Sequence, residues 1–172
     1  DDIYVTGNLG DSYVGLNILK KKINVSKKLK NYFIKKYFLP NLPVAIHKYL
    51  FKFANSSIDI SDGLYADLNK LTNEQNVGFN LYIDKIPISK NLKDYLKRYN
   101  QNSLNFVSKG DDYQILFTSP KKNRIHIKNL SKRINIKISK IGNIIKSCKE
   151  RRIFYNNKHI KSPIYQGYSH KF

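Results

Sequence analysis

Two kinds of apolar pattern alternate along this chain, and their order limits the folds that it can adopt. Residues 2–6 and 79–83 form short apolar or alternating runs, which are typical of strands. Residues 26–38 and 124–133 repeat apolar side chains every three or four positions, which is typical of amphipathic helices. Strands that alternate with helices predict an α/β domain. No internal repeat or low-complexity linker is present, so we expect residues 1–172 to form one domain.

The net charge of +20 raises the question of whether nucleic acid is a partner. Most of the basic residues are lysines, in short runs such as Lys20–Lys22 within otherwise amphipathic segments. Aromatic residues are not clustered within a lysine stripe, as a nucleic-acid-binding module would favour. We therefore expect a solvated basic face and no nucleic-acid partner. The alternative, a basic nucleic-acid-binding module, predicts binding that weakens steeply with salt.

Three features of the sequence bear on where the protein works. No apolar run approaches the ~20 residues of a membrane span, and the chain does not open on a signal sequence. The single cysteine cannot form an internal disulfide. We therefore expect a cytoplasmic protein without a membrane partner. The chain contains no methionine, which we interpret as a sign that it is part of a longer protein.

The strongest local candidate for chemistry is the segment around Asp59, Ser61 and Asp62, followed by Gly63. A strand is expected to end here and a helix to begin, and such a junction directs free backbone N–H groups outward as an anion site. Two carboxylates at a phosphate-binding edge repel each other unless a cation lies between them, and Mg²⁺ suits that role. The alternative is that Ser61 or Asp62 only caps the helix. Capping leaves Asp59 unexplained, because a carboxylate between two isoleucines needs a partner.

A second candidate is the acidic pair Asp111 and Asp112, which follows Gly110 and precedes an apolar strand. One of these acids could accept a hydrogen bond from a substrate, although adjacent acids in a turn are also commonly just solvated. A third candidate is Tyr168 near the end of the chain. A terminal aromatic side chain can stack on a flat heterocycle or simply belong to the core.

Taken together, these segments resemble the second half of the thiamine-monophosphate kinase family. This family belongs to a superfamily that includes aminoimidazole ribonucleotide synthetase and selenophosphate synthetase. The resemblance covers essentially the whole chain, and its motifs occur in the family's order at residues 2–12, 15–16, 54–64, 110–113 and 167–170. It implies an α/β fold, an α+β sandwich in which helices pack on a mixed sheet. Other synthetases of the superfamily remain the alternative.

The resemblance also implies roles for individual residues. Asp59 and Asp62 match acids that bind Mg²⁺, and Ser61 matches a residue that contacts ATP. Asp111 matches an acidic substrate contact that is usually Glu, and Tyr168 matches the aromatic residue that meets the thiamine moiety. The implied reaction transfers a phosphoryl group from ATP directly onto thiamine monophosphate, in the biosynthesis of thiamine diphosphate. No side chain of this chain is expected to act as a covalent catalyst.

The same resemblance limits what this chain should do alone. The remaining metal ligands, the ATP-binding loop and the homodimer-forming sheet of the family belong to an amino-terminal half that we expect to be absent here. The isolated chain is therefore expected to be inactive. Gln114 and Ser169 replace acids that are common in the family's motifs, and Asp111 is shorter than the usual Glu by one C–C bond, roughly 1.5 Å.

Overall fold

A computed structural model describes residues 1–73, 75–146 and 150–160. These residues contain a mixed sheet of seven strands with helices packed on it, which confirms the predicted fold class. The strands are β1 Asp2–Thr6, β2 Ser56–Asp59, β3 Gly78–Tyr82, β4 Ile115–Ser119, β5 Ile138–Ile145, β6 Arg151–Tyr155 and β7 Lys158–Ile160.

Seven α-helices connect and cover these strands within the described ranges. They are α1 Asp11–Leu19, α2 Lys27–Phe38, α3 His47–Leu50, α4 Leu64–Asn73, α5 Lys90–Arg98, α6 Leu104–Val107 and α7 Arg124–Arg133. Short 3₁₀ turns occur at Val44–Ile46, Ile83–Lys85 and Lys121–Asn123. None of these helices combines the length and the apolar character that a membrane-crossing helix needs.

The strands are ordered β2-β4-β1-β5-β3-β6-β7 across the sheet. Strand β1 is antiparallel to β4 and to β5, and every residue of β1 is buried. Strands β3 and β6 are parallel, and the remaining neighbours are antiparallel. The edge strand β2 pairs with β4 so that Asp59 faces Ile115, which fixes where the candidate site begins.

Alternation along β1 divides the apolar residues between the two faces of the sheet. Ile3 and Val5 contact the cluster that includes Leu68 of α4, whereas Tyr4 contacts the cluster that includes Leu130 of α7. Successive strand residues point to opposite faces, so one strand serves two cores. A third cluster, built from α1, α2 and α5, is centred on the fully buried Phe33.

Asp2 is a buried carboxylate within this central strand. Arg124 Nε donates to Asp2 Oδ2 at 2.5 Å, and Lys140 Nζ lies 2.9 Å from Oδ1. Burial alone would raise the pKa of Asp2, but the hydrogen bonds from Arg124 and Lys140 outweigh it and lower the pKa to about 2. The buried charge is thereby compensated, as a charge in the interior must be.

Candidate functional site

The turn between β2 and α4, residues 60–63, is fixed by apolar anchors on both sides. Ile60 and Leu64 are fully or almost fully buried, so the polar residues between them are held at the surface edge of the sheet. Gly63 has a φ of +103°, and a Cβ placed there would lie 2.2 Å from the backbone oxygen of Ser108. Only glycine fits this turn, because it tolerates positive φ and lacks the colliding atom.

A buried carboxylate that the sequence analysis did not single out organises the turn. Asp67 is fully buried, and its Oδ2 accepts hydrogen bonds from the backbone N–H groups of Ser61 at 3.0 Å and Asp62 at 2.9 Å. The expectation that these amides are free to bind an anion is therefore wrong at both positions. Asp67 already occupies the place that an external anion would take.

Asp62 and Asp67 share one basic partner. Lys70 Nζ donates to Asp67 Oδ1 at 2.9 Å and also to Asp62 Oδ2. Hydrogen bonds to Asp62 and then to Asp67 raise the pKa of Lys70, so the ammonium group stays charged at neutral pH. The Asp62 carboxylate is thus paired with Lys70 at the protein surface and is not free in solvent.

Asp59 lies in different surroundings. Its exposed side chain lines a groove of about 350 Å³ whose other walls are mostly apolar. These walls are formed by Leu42, Pro43, Val44, Ile46, His47, Leu50, Tyr113 and Ile115. Within the part of the chain that the structure describes, no hydrogen bond or ion pair of the Asp59 carboxylate is found. This carboxylate is therefore available to a ligand or a cation in the groove.

The loop that carries the second acidic pair is hydrogen-bonded to the same turn. Tyr113 N donates to Ile60 O at 2.9 Å, and Ile60 N donates to Gln114 O at 2.8 Å. Tyr113, which adopts a φ of +50°, reaches the groove that Asp59 lines. The fold thus brings together two segments that lie about fifty residues apart in the sequence. Asp111 is half-buried in this loop.

Asp112 points away from that groove and into the protein. Its Oδ2 accepts from Gly10 N at 2.7 Å, and its Oδ1 accepts from Ser12 N at 3.3 Å and Ser12 Oγ at 2.6 Å. These donors lie at the amino-terminal end of α1, where backbone N–H groups have no partner within the helix. Asp112 therefore caps α1 from a distance of about a hundred residues in sequence, and the neighbouring Asp111 is positioned by that anchor.

Gln114, where the resemblance implied an acid, makes contacts that an acid could not make. Its Nε2 donates to Asn41 O at 2.8 Å and to Asp112 O at 3.3 Å, while its Oε1 accepts from Thr6 Oγ1. A carboxylate has no hydrogen to donate to these carbonyl oxygens. The amide thus attaches the loop at Asn41 to the loop at Asp112, and the departure from the family pattern has a structural reason.

A second cavity, of about 540 Å³, lies on the Asp112 side of this loop. It is lined by Asp11, Lys36 and Lys137 among other residues. Asp11 is buried, and its two carboxylate oxygens accept from Ser89 Oγ at 2.7 Å and Tyr32 Oη at 2.8 Å. Through these two hydrogen bonds Asp11 connects α1 to α2, which carries Tyr32, and to Ser89 at the start of α5.

No family model matches the chain, but individual relatives do. It is 41% identical over 162 residues to the thiamine-monophosphate kinase of Buchnera aphidicola subsp. Acyrthosiphon pisum and 37% identical over 122 residues to that of Aquifex aeolicus. These matches cover 93% and 70% of this chain, and 50% and 40% of the two relatives. The chain belongs to the thiamine-monophosphate kinase family. It spans about half the length of the curated relatives that it matches.

Solved structures agree with this family assignment. The structure of AaThiL complexed with AMPPCP and TMP superposes with a TM-score of 0.76 at 30% identity, covering 94% of this chain and 49% of that one. The thiamine-monophosphate kinase of Stenotrophomonas maltophilia gives a TM-score of 0.78 at 25% identity, covering 93% and 51%. The hydrogenase maturation protein HypE of E. coli, at 12% identity and a TM-score of 0.62 over 95% and 49%, shares the fold alone.

Family membership raises the question of whether this half-site suits a magnesium ion. Asp59 at the end of β2 and Asp62 in the following turn provide hard carboxylate oxygens, and such ligands suit Mg²⁺ when phosphate oxygens and water complete its coordination. Residues 1–73, 75–146 and 150–160 contain no group of three or more acidic, histidine or cysteine side chains that could hold a metal ion by themselves. The donors present therefore fit part of a shared magnesium site. They do not form a complete one.

The fold thus brings only some of the predicted site residues close together. Asp59 shares a groove with Tyr113, whereas Asp62 is engaged with Lys70, and Tyr168 lies outside the described residues. The sequence analysis missed Asp67. An acid three residues before a lysine on an amphipathic helix is typical of an ordinary surface ion pair. The complete burial of Asp67, which shows its real role, is visible only in the fold.

Because the Asp112 carboxyl group is buried at the start of α1, its protonation should make the stability of the fold depend on pH. Burial raises the pKa of Asp112 to about 6, although hydrogen bonds from Ser12 and Gly10 oppose the shift. Because the folded state holds this proton more tightly than the unfolded state, the stabilisation is present below about pH 4 and is lost as pH rises through about 6. We expect the free energy of unfolding to be about 1 kcal/mol larger near pH 5 than near pH 7.

Urea unfolding at the two pH values measures this difference. In the Asp112→Asn variant the difference should shrink, even though the variant is less stable overall because its amide cannot accept from all three donors. Equal pH dependence in the variant and the parent chain would contradict the assignment to Asp112. Asp2 does not interfere in this window, because its lowered pKa places its own loss of stabilisation below about pH 4.

Proposed function

We propose that this chain is the carboxy-terminal half of an enzyme that uses ATP to phosphorylate thiamine monophosphate, giving thiamine diphosphate and ADP. The observation that carries the proposal is 41% identity to a thiamine-monophosphate kinase along 93% of the chain. In this proposal residues 1–172 form one domain of a two-domain kinase, and the amino-terminal domain supplies most of the ATP site. The AMPPCP and TMP bound to AaThiL support ATP and thiamine monophosphate as the two substrates.

The turn of residues 59–62 is proposed to be this half's contribution to the ATP and metal site. Asp59 and Asp62 would hold Mg²⁺, and Ser61 would contact ATP through its hydroxyl group, since its backbone N–H is already bound to Asp67. Magnesium bound there would neutralise charge on the transferred phosphoryl group. Asp67 keeps the turn in shape, so the backbone of Ser61 and Asp62 need not be reorganised when the nucleotide arrives.

The loop of residues 110–114 is proposed to be the substrate side. Asp111 would accept a hydrogen bond from thiamine monophosphate, and Tyr168 would stack on its heterocycle. The hydrogen bonds between this loop and Ile60 support the proposal, because they join residues 113 and 114 to the turn of residues 60–63. Asp112 serves as the positioning residue that holds Asp111 there.

Charge explains why carboxylates belong at a site that handles two anions. Donor and acceptor are both phosphates, and one pair of unit charges 4 Å apart repels by roughly 4 kcal/mol at an effective dielectric constant near 20. Cations held by Asp59 and Asp62 would offset that repulsion at fixed positions. Flexible lysines alone would do so less well, because their ammonium groups are not fixed in geometry.

The intact enzyme is proposed to be a cytoplasmic homodimer that associates through its amino-terminal half. Nucleic acid and membranes are not among the proposed partners. The net charge of +20 would instead attract phosphorylated substrates at a distance.

A chimera tests the proposed function directly. This chain would replace the matching half of the Buchnera aphidicola kinase, and thiamine diphosphate formation would be measured with ATP and thiamine monophosphate. We expect turnover by the chimera and none by the 172-residue chain alone. A chimera that is folded by circular dichroism and elutes as a discrete species, yet forms no thiamine diphosphate, would contradict the proposal. Turnover with aminoimidazole ribonucleotide synthetase substrates instead would favour another reaction of the superfamily.

A further inference from the structure

Lys70 lies on α4 beside the turn that carries the proposed metal ligands. Its ammonium group contacts Asp62 Oδ2 and lies 2.9 Å from Asp67 Oδ1. The Lys70 side chain is 50% exposed and that of Asp62 30% exposed, whereas Asp67 is not exposed at all. An ammonium group between two carboxylates balances their charge as a bound cation would.

The two carboxylates differ in how firmly they are held. Asp67 Oδ2 is fixed by two backbone N–H groups, so Asp67 remains hydrogen-bonded even without Lys70. Within the described part of the chain, the Asp62 carboxylate forms its hydrogen bond and ion pair with Lys70 alone. Removal of the lysine would therefore free Asp62 while leaving the backbone of the turn in place.

We propose that Lys70 is a positioning residue that occupies the cation place beside Asp62 in the metal-free protein and competes there with the divalent metal ion. The inference depends on the proposed function for the role of Asp62 as a metal ligand. In this proposal the Lys70 ammonium group keeps its contact with the buried Asp67. It leaves the partly exposed Asp62 when the metal ion binds there. Metal ion and ammonium group cannot both contact Asp62 Oδ2, because two cations at that distance repel each other.

This competition would hold the empty site in a defined shape. Two carboxylates near a bare turn would otherwise repel each other, and the side chain of Asp62 would sample several rotamers. With Lys70 in place, Asp62 is kept next to the position from which it binds the cation. Competition from Lys70 weakens metal binding. The experiment below measures how much the magnesium affinity increases when the lysine is removed.

The test is a magnesium titration of the ¹⁵N-labelled chimeric kinase with AMPPCP bound, followed by the amide resonances of Ser61, Asp62 and Gly63. Lys70→Ala should bind Mg²⁺ about five-fold more tightly than the parent chain, the scale expected for losing a partly exposed ion pair. Lys70→Arg retains the charge and should bind Mg²⁺ like the parent. Lys128→Ala removes one charge from an exposed position on α7 and controls for net charge. Its dissociation constant should also match that of the parent.

Three results would overturn the inference. Equal magnesium affinity in Lys70→Ala and the parent would show that the lysine does not compete. An equal gain in Lys128→Ala would assign the effect to net charge. Absence of any magnesium-dependent shift at these three amides, in all variants, would remove Asp62 as a ligand. That last result does not decide the kinase activity, because the chimera assay measures it independently.

Discussion

Replacing Asp59 by Asn in the chimeric kinase is expected to lower kcat by about 100-fold or more while leaving the fold intact. The change removes a carboxylate charge that the proposed magnesium site requires, and the loss of about 3 kcal/mol of metal-dependent stabilisation corresponds to that factor. Stability should change little, because the exposed Asp59 side chain has no hydrogen bond or ion pair within the described residues. Steady-state kinetics at several magnesium concentrations, together with thermal melting, measure both effects.

Asp94→Asn provides the matched control for this substitution. Asp94 is an exposed carboxylate on α5, so the chemical change is the same but the position is remote from the groove. We expect its kcat to remain within about two-fold of the parent. Full activity of Asp59→Asn would remove this carboxylate from the metal site. A large loss of melting temperature without a specific rate effect would indicate a structural role instead.

Gly63→Ala is expected to be the most destabilising single-methyl change at the site. Its φ of +103° strains any other residue by about 1–3 kcal/mol, and the new Cβ would lie 2.2 Å from Ser108 O and 2.7 Å from Ser108 C. Both contacts are with backbone, so α4 or the segment at Ser108 must move. We expect a loss of more than about 3 kcal/mol, which for a chain of this size lowers the melting temperature by roughly 10 °C.

Ser61→Ala in the same turn serves as its control. This change adds no atom, and the backbone N–H that donates to Asp67 is retained. Its melting temperature should stay within a few degrees of the parent, whereas its apparent affinity for ATP in the chimera should fall. Differential scanning calorimetry and ATP kinetics separate the two outcomes. A Gly63→Ala chain as stable as the parent would show that the turn can relax and that glycine is not required.

Much of the secondary structure could be predicted because it depends on local pattern. The expected helix at residues 124–133 matches α7, and the expected strand at residues 2–6 matches β1. Residues 44–53 contain only a 3₁₀ turn and the short α3, and they do not form one continuous helix. The short α6 was missed because its four residues lie within a polar stretch.

The candidate site was predictable only as a list of residues. Gly63 indicated a turn, and Asp59 was recognised as a carboxylate that needs a partner. Both inferences depended only on neighbouring residues in the sequence. Asp67 and Asp112 act through partners that the sequence does not indicate, because each carboxylate takes backbone N–H groups from another element. Asp112 and Gly10 are separated by 102 positions, so no local pattern could reveal that contact.

The place of β1 in the sheet has a consequence for how the protein folds. Among the strands of this domain β1 is synthesised first, yet its two neighbours are β4, which starts at Ile115, and β5, which starts at Ile138. The backbone N–H and C=O groups of β1 therefore cannot form their sheet hydrogen bonds until β4 and β5 have left the ribosome. Folding dominated by such distant pairings is slow. A nascent chain stalled before Ile115 should expose the apolar segment at Ile3–Val5, which makes that segment the natural target of a chaperone during synthesis.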